Sequence, residues 1–448
     1  MSNSLVDMFR IKELKKKVLL TFLLLAVTRI GTVIPIPGID SVVLRQYFLE
    51  QTSSNTVGIT EYLNFFSGGA FSKFSLFMLG VMPYISAQII LQLLMLIVPS
   101  LKRLSREPSG RRKIQRYTNY GTILVCLIES FVVTIYAKSI PNVLTISLGL
   151  FTLVAMLSVT AGSMLLVWLG EIITKVGVGN GISLLIMAGI VARMPNAVGT
   201  MITGVQSGDY NSVHLVMLFI MAIILIVLVV FEETGMRKIP VDYAKRVVGR
   251  KMYGAQSTYI PFKINPSNVI PVIFASAILS FPLQIAQMLG PEVRWLNTFS
   301  NWLRPQGAPY LIIYTTFIIA FAFFYSQVSL NPSDIAKNIR ENGGSIRGVR
   351  PGRDSSGRDF TEIYLTKVIN RIVFPGALFL AIIALIPSLI TIMFAYPMVV
   401  SMMFGGTSLI IVVGVALETV KQIEAEMKTH HVDGYLTVSG KKRRSNNL

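Results

Sequence analysis

Ten stretches of this chain are apolar and long enough to form membrane-spanning helices, and this repetition restricts the possible folds more than any other feature. A hydrocarbon core about 30 Å thick is crossed by roughly 20 apolar residues in a helix. The stretches are residues 18–34, 76–98, 118–137, 148–169, 182–198, 213–231, 268–289, 309–330, 372–392 and 407–420. The sequence therefore predicts an all-α integral membrane protein with ten transmembrane helices.

The composition agrees with a membrane protein. Charged residues make up only 14% of the chain and hydrophobic residues 52%, whereas an ordinary soluble domain has about 25% charged residues. The charges are also unbalanced, since 41 Lys and Arg against 22 Asp and Glu give a net charge of +19. A water-soluble globular protein is therefore excluded.

The distribution of the basic residues predicts the orientation. If the N-terminus is cytoplasmic, ten spans place 34 Lys and Arg on that side and 7 on the other. Cytoplasmic loops are enriched in Lys and Arg, and a missed span would exchange the sides of every later loop. We therefore expect cytoplasmic N- and C-termini and a retained first span, with no cleavable signal peptide.

Ten spans divide into two halves of five, and an odd number of spans gives the halves opposite orientations. The predicted organisation is a cytoplasmic amphipathic N-tail (1–17), a first half (18–198), a second half (213–423) and a basic cytoplasmic C-tail (424–448). Inverted repeats are common in transport proteins, so a secondary transporter for a small solute is one candidate class.

Two predicted cytoplasmic loops, 232–267 and 331–370, are long for a compact bundle. The first alternates apolar and polar residues on both sides of a basic centre, which predicts a β-hairpin with its tip near Gly249. Loops of this length are usually functional or disordered, and the strand-like flanks favour a function.

The spans contain little that could carry out catalysis or ion coupling. The chain has one cysteine and three histidines, and it lacks the paired acids or Ser/His and Cys/His sets of an enzyme. Glu129 is in the middle of a span, whereas Arg29, Glu171 and Glu418 are near span ends. Ion-coupled carriers place ionisable groups in mid-span, so we expect no enzyme and no cofactor or metal.

Branched aliphatic residues recur at helical spacing beside prolines and glycines. Val81 and Ile85 are four residues apart, as are Ile182 and Ile186, so each pair shares one helix face. Spacing alone does not distinguish these pairs from an ordinary bundle core.

Several longer motifs resemble one family. They are RIGTVIPIPGID (29–40), FFSGGAFSKFSLFMLGVMPYISAQIILQLL (65–94), GRRKIQRYTNYGT (110–122), WLGEIITKVGVGNGIS (168–183), YAKRVVGRKMYGAQST (243–258), VIPVIFASAI (269–278), NPSDIAKNI with GVRPG (331–352) and FGGTSLIIVV (404–413). In this order they resemble the SecY/Sec61-alpha family, the channel subunits of the Sec protein translocase. One departure is Glu129-Ser130, where the family typically has Gln-Ser.

The resemblance implies two inverted five-helix halves around a central pore, with an apolar pore ring and a re-entrant plug segment at about 58–75. The implied pore ring is Val81, Ile85, Ile182, Ile186, Ile273 and Ile411, with Val81 in place of the expected isoleucine. The implied plug is Glu61, Tyr62, Leu63, Asn64, Phe65, Phe66, Ser67, Gly68, Gly69, Ala70 and Phe71.

The resemblance also implies a lateral gate between the second and seventh spans, through which membrane segments leave the channel. The implied gate residues are Ser86, Gln88, Gln92, Asn268 and Ser276. Ordinary interhelical hydrogen bonds remain an alternative role for these residues.

The basic groups of the two long loops are implied to dock a motor or the ribosome. These residues are Lys245, Arg246, Arg250, Lys251, Arg347, Arg350 and Arg353. Topogenic charge and attraction to anionic lipid are the alternatives. The implied partners are the SecE and SecG subunits, the SecA ATPase, the ribosome and unfolded preproteins, in the bacterial cytoplasmic (inner) membrane.

Overall fold

The computed structural model describes residues 11–53, 64, 67–208, 211–243, 246–248, 251–253, 257–289, 294–303, 307–350, 352–354, 357–394 and 398–445 of the 448-residue chain. Helices dominate this part of the chain, and two small β-sheets lie in the segments that connect them.

The first half consists of seven α-helices in the described residues. They are α1 (Lys12–Gly31), α2 (Ser41–Ser53), α3 (Met82–Ile97), α4 (Pro99–Arg106), α5 (Pro108–Ser139), α6 (Leu148–Val176) and α7 (Gly181–Gln206). Proline stands in the first turn of α3, α4 and α5, where its missing N–H costs no helical hydrogen bond. The N-cap of α7 is Asn180, whose Oδ1 accepts hydrogen bonds from the backbone N–H groups of Ile182 and Ser183.

The second half contains eight described helices. They are α8 (Ser212–Thr234), α9 (Ile270–Leu289), α10 (Arg294–Trp302), α11 (Ala308–Ser329), α12 (Pro332–Glu341), α13 (Phe360–Phe394), α14 (Met398–Phe404) and α15 (Gly406–Ser445). Asn331 caps α12 as Asn180 caps α7, because its Oδ1 accepts a hydrogen bond from the N–H of Ser333.

Each predicted span coincides with a helix, but fewer helices meet a strict length and hydropathy standard for crossing a membrane. In the described residues seven do so, and an eighth is added if α3 and α4, bent by 103° at their junction, form one span. The helix α1 carries a lysine cluster, and in α9 the continuous run of described side chains, Ile270–Ser280, is apolar but too short to meet the standard. The structure establishes a multi-span helical protein, and the count of ten stays a prediction.

Several helices begin or end away from the bounds of the predicted spans, and two cases show why. The second span was placed from residue 76, but α3 begins at Met82 because the chain turns tightly before it, with Gly80 at φ +60°. The third was placed from residue 118, but α5 begins at Pro108, so the basic stretch before the apolar run is helical as well. Hydropathy identifies the membrane-embedded part of a helix, but it does not detect polar residues that extend the helix beyond the membrane.

The all-α class needs correction in the long loops, where five strands form two antiparallel sheets. They are β1 (Met236–Tyr243), β2 (Arg246–Val248), β3 (Lys251–Tyr253), β4 (Ser257–Lys263) and β5 (Gly344–Ile346). The predicted hairpin is confirmed, since β1 pairs with β4, and Val248 pairs with Lys251 on either side of the expected tip. The unpredicted strand β5 comes from the second long loop and pairs with β1.

This three-stranded sheet joins the two long loops into one platform, defined here as β1, β4, β5 and α12. Its apolar face packs on the start of α13, where Ile239 and Val241 belong to one cluster with Leu365 and Ile369. Strand alternation directs those side chains to one side of the sheet. The loops are therefore anchored to a membrane-spanning helix.

A single apolar core connects the two halves. It contains buried residues of α3, α6 and α7 from the first half and of α8, α9, α11, α13, α14 and α15 from the second. A separate cluster packs the segment before α3 against α5 and α6, with Phe71 and Phe74 beside Tyr136.

Gly162 on α6 provides a test of this packing. A Cβ atom there would overlap the backbone oxygen of Leu76, whereas one at Gly149, on the same helix, would meet nothing within 4 Å. We expect Gly162→Ala to lower the free energy of unfolding by roughly 2–3 kcal/mol, because the backbone of the turn before α3 must shift. Gly149→Ala is the matched control and should be neutral. Thermal unfolding in detergent measures both, and equal midpoints would contradict the close approach.

Candidate functional site

A large cavity lies between helices of the two halves. It has a volume of about 360 Å³ and is lined at one end by Ile85 of α3, Ile182 and Ile186 of α7, and Ile273 of α9. Helical spacing paired Ile182 with Ile186 and Ile85 with Val81, the family resemblance added Ile273, and the fold brings the four lining residues together around one space.

The other two pore-ring candidates adjoin this group. Val81 and Ile186 line a second cavity of about 20 Å³, so Ile186 faces both spaces. Ile411 on α15 is 1% exposed and belongs to the same apolar core. We call these six residues, Val81, Ile85, Ile182, Ile186, Ile273 and Ile411, the collar. Four helices from both halves, α3, α7, α9 and α15, therefore contribute residues to the collar.

The N-terminal ends of α3, α7 and α9 fix the positions of five of the six collar residues. Val81 is the N-cap residue of α3, so Ile85 follows one turn later on the same face. The capped start of α7 puts Ile182 in its first turn and Ile186 one turn further. Ile273 likewise lies in the first turn of α9.

A group of polar side chains also lines the large cavity. Gln115 Nε2 on α5 donates hydrogen bonds to Tyr84 Oη (3.2 Å) and Glu171 Oε1 (3.1 Å), and Lys175 Nζ lies 3.2 Å from Glu171 Oε2. Asn119 Nδ2 also donates to Glu171 Oε1 (3.3 Å). Sequence reasoning assigned Glu171 only to an interfacial position. The i, i+4 spacings of Gln115 with Asn119 and Glu171 with Lys175 are the signal it missed.

Part of the implied plug packs against the collar on the side of the small cavity. Ser67 lines that cavity with Val81. Gly68 has φ +66°, and a Cβ atom there would lie 2.9 Å from Gly189 Cα and 2.8 Å from Arg29 Nη1. The segment therefore approaches α1 and α7 as closely as glycine allows.

Local hydrogen bonds shape this segment. The N–H of Phe71 donates to Ser67 Oγ (3.0 Å), and the N–H groups of Gly69 and Ser72 donate to the backbone oxygen and Oδ1 of Asn64 (2.9 and 3.1 Å). Ala70 is fully buried. The remaining plug candidates, Glu61, Tyr62, Leu63, Phe65 and Phe66, lie outside the described residues.

The helices of the implied gate, α3 and α9, are in direct contact. Gln88 lines the large cavity, Ser86 is half-buried, and Gln92 Oε1 is buried without a hydrogen-bond partner among the described residues. Ser276 Oγ donates to the backbone oxygen of Ile273 (2.8 Å) on its own helix. Asn268, at φ +49°, accepts a hydrogen bond from Lys263 Nζ (3.4 Å). Both hydrogen bonds lie on the α9 side of the contact, so neither of them joins α3 to α9.

Part of the basic set that is implied to dock a partner lies in the loop after β5, beside the platform. Arg350 and Arg353 are exposed, and Arg347 Nε lies 3.3 Å from Asp242 Oδ2 across the β1–β5 pair. Arg246 and Lys251 lie in β2 and β3, with side chains that are not described. Lys245 and Arg250 lie outside the described residues. Arg347 therefore also ties the two loops together.

A multi-span helical bundle in which two cavities share an apolar lining residue, Ile186, is typical of a membrane channel. The SecY family model matches residues 75–420. The chain is 41% identical to protein translocase subunit SecY of Borreliella burgdorferi over 431 residues, with 96% of each protein covered. It is also 41% identical to that of Escherichia coli K12 over 430 residues, covering 95% of this chain and 94% of the relative. The chain belongs to the SecY family.

Solved structures share this fold. One described as "The structure of a protein conducting channel" has a TM-score of 0.63 at 21% identity, with 92% of both chains covered. Sec61 in a canine ribosome–channel complex has a TM-score of 0.59 at 20% identity, with the same coverage. The protein is thus a multi-pass membrane protein and a channel subunit of the Sec translocase, and the secondary-transporter alternative is not favoured.

Proposed function

We propose that the collar is the constriction through which unfolded polypeptides cross the membrane. The observation that supports this proposal is the position of Ile186, which lines both cavities and so lies between them. A ring of aliphatic side chains offers an ion no replacement for its hydration shell and dewets readily, yet its flexible groups part around an extended chain. Such a channel needs no catalytic residue, and the ion permeability of Ile186 variants tests it.

The segment 61–71 acts as the plug of the closed channel. Contact of Ser67 and Gly68 with the walls of the small cavity supports this role, because the segment adds a second layer to the seal. The proposed architecture has ten spans in two inverted halves. It counts α1 and α9 among the ten spans.

The contact between α3 and α9 is the lateral gate, from which apolar segments of a client pass into lipid. A seam that includes the amides of Gln88 and Gln92 is less favourable than a fully apolar one. Gln92 Oε1, which has no hydrogen-bond partner among the described residues, in particular favours separation of the helices, because opening allows it to be hydrated.

The platform faces the cytoplasm, and the basic residues at the β2–β3 tip and in the loop after β5 dock the SecA ATPase or the ribosome. Exposed arginines on an ordered loop pair well with carboxylates and with RNA phosphates, and Arg350 and Arg353 meet that condition. SecE and SecG are the expected subunits, anionic lipid surrounds the basic loops, and both termini are cytoplasmic in the bacterial inner membrane.

Charge reversal at Arg350 tests the docking role. We expect Arg350→Glu to reduce SecA-dependent export of a preprotein into vesicles at least fivefold, because several charge-assisted contacts become repulsive. The amount of channel in the membrane should stay unchanged, since the side chain is exposed. Lys337→Glu, on the exposed face of α12, is the matched control. Equal export by both variants would contradict docking at Arg350.

A further inference from the structure

A short helix, α10 (Arg294–Trp302), connects α9 to α11. It has nine residues, which is too few to cross a membrane. The helix follows α9 and packs against it. Because the platform precedes α9 in the chain, α10 lies at the end of α9 that is opposite the platform.

The apolar residues of α10 and of the position after it lie on one face. Phe299 packs against the apolar core, and Leu303, directly after the helix, is buried in it. Trp295 and Trp302 are seven residues apart, so they share the neighbouring edge of this face, and they are 69% and 56% exposed. Helical spacing places the position of Asn297 on the opposite side. One part of the apolar face therefore attaches the helix to the bundle, and the described residues leave the tryptophan edge uncovered.

The neighbouring helix places this edge near the membrane surface. The helix α11 is apolar and long enough to cross a membrane, and Ile312 in its second turn is 66% exposed, as expected of a side chain that faces lipid. Only a few residues separate α10 from this turn, and each residue extends the chain by at most about 3.6 Å. The helix α10 is therefore held close to the level at which α11 enters the membrane.

Lipid headgroups suit the tryptophan edge better than water or hydrocarbon. Water would leave two large aromatic rings exposed side by side. Hydrocarbon would deprive the indole N–H groups and the polar face of the helix of hydrogen-bond partners. The headgroup region accepts the apolar body of an indole and hydrogen-bonds its N–H. Amphipathic helices of this kind lie in the plane of the interface.

We propose that α10 lies in the phospholipid interface on the side opposite the platform, with Trp295 and Trp302 inserted among the headgroups and the upper acyl chains. The insertion anchors the end of α9, because α10 packs against that helix. In the proposed orientation this interface belongs to the outer leaflet. The inference concerns lipid and goes beyond the channel function, so neither of its tests depends on conduction through the collar.

Fluorescence quenching measures the position of the two rings. The purified translocase complex is reconstituted in phosphatidylcholine vesicles with bromine on the acyl chains, either close to the headgroup or close to the bilayer centre. The chain has three tryptophans, Trp168, Trp295 and Trp302. The emission of the Trp168→Phe complex minus that of a complex with all three replaced by phenylalanine isolates the pair. We expect the shallow bromines to quench this signal at least twofold more strongly than the deep ones.

Every other pattern of quenching would overturn the inference. Quenching by aqueous iodide alone would place the two rings in water. No quenching by iodide or by bromine would mean that a partner protein covers them. Stronger quenching by the deep bromines would place them in the hydrocarbon core.

Hydrogen exchange tests the anchoring of α9. With Trp295 and Trp302 both replaced by alanine, we expect amide exchange in the last two turns of α9, residues 283–289, to become at least threefold faster, because local opening is less costly there. Trp168→Ala removes an exposed tryptophan from α6 and is the matched control, which should leave this exchange unchanged. Tyrosine at both positions keeps an interfacial ring and should retain slow exchange. Equal exchange in the alanine pair and in the Trp168→Ala control would overturn the anchoring.

Discussion

Replacing Ile186 by asparagine is expected to increase the ion conductance of the resting channel at least tenfold. Ile186 is 5% exposed and lines both cavities, so its side chain separates two spaces that water occupies more easily than the collar. An amide offers hydrogen bonds to water and to ions, which removes the barrier created by dewetting. A barrier lower by about 1.4 kcal/mol is enough for a tenfold change. Single-channel recording, or dye and ion efflux from proteoliposomes, measures the effect.

Two controls distinguish a leak through the collar from general disruption of the bundle. Ile186→Val keeps the site apolar and should remain closed to ions. Ile190→Asn places the same amide one turn further along α7, where the side chain is 1% exposed and lines neither cavity. It should lower stability without opening an ion path. Equal leaks from Ile186→Asn and Ile190→Asn would argue against the collar.

The collar shows which relations between residues can be predicted from helical periodicity and which cannot. Helical spacing identifies Val81 with Ile85 and Ile182 with Ile186 as pairs on one face, because that relation is local. Their meeting with Ile273 and Ile411 depends on the packing of four helices that are far apart in sequence. No periodic pattern contains that information, and only the family resemblance indicated the complete set.

The same contrast explains which features the sequence predicted and which it missed. The hairpin β1–β4 was predictable because its alternation and turn lie within one loop. Strand β5 has three residues and pairs with a strand about one hundred residues earlier, so it carries almost no local signal. Glu171 was assigned to an interface from its distance to the span end, and its bonds to Gln115 and Asn119 arise from tertiary packing.

The seal beside the collar is predicted to fail when Gly68 is replaced by alanine. Both Gly68 and Gly69 have positive φ (+66° and +88°), so alanine strains the backbone at either position by about 1–2 kcal/mol. Only at Gly68 does the new Cβ atom meet neighbours, the Cα of Gly189 at 2.9 Å and the guanidinium of Arg29 at 2.8 Å. Gly69 has nothing within 4 Å. The two substitutions therefore share the conformational cost and differ in the steric one.

The steric difference determines the expected result. Because the Gly189 backbone cannot yield as a flexible side chain would, the plug segment itself has to move, and a further cost of about 1–3 kcal/mol falls on the closed state alone. Each 1.4 kcal/mol raises the ratio of open to closed channels tenfold. Gly68→Ala should thus show frequent spontaneous opening in bilayer recordings, several-fold to a hundredfold above Gly69→Ala. If the two variants open equally often, contact with Gly189 does not hold the segment in place, and its role as a plug is contradicted.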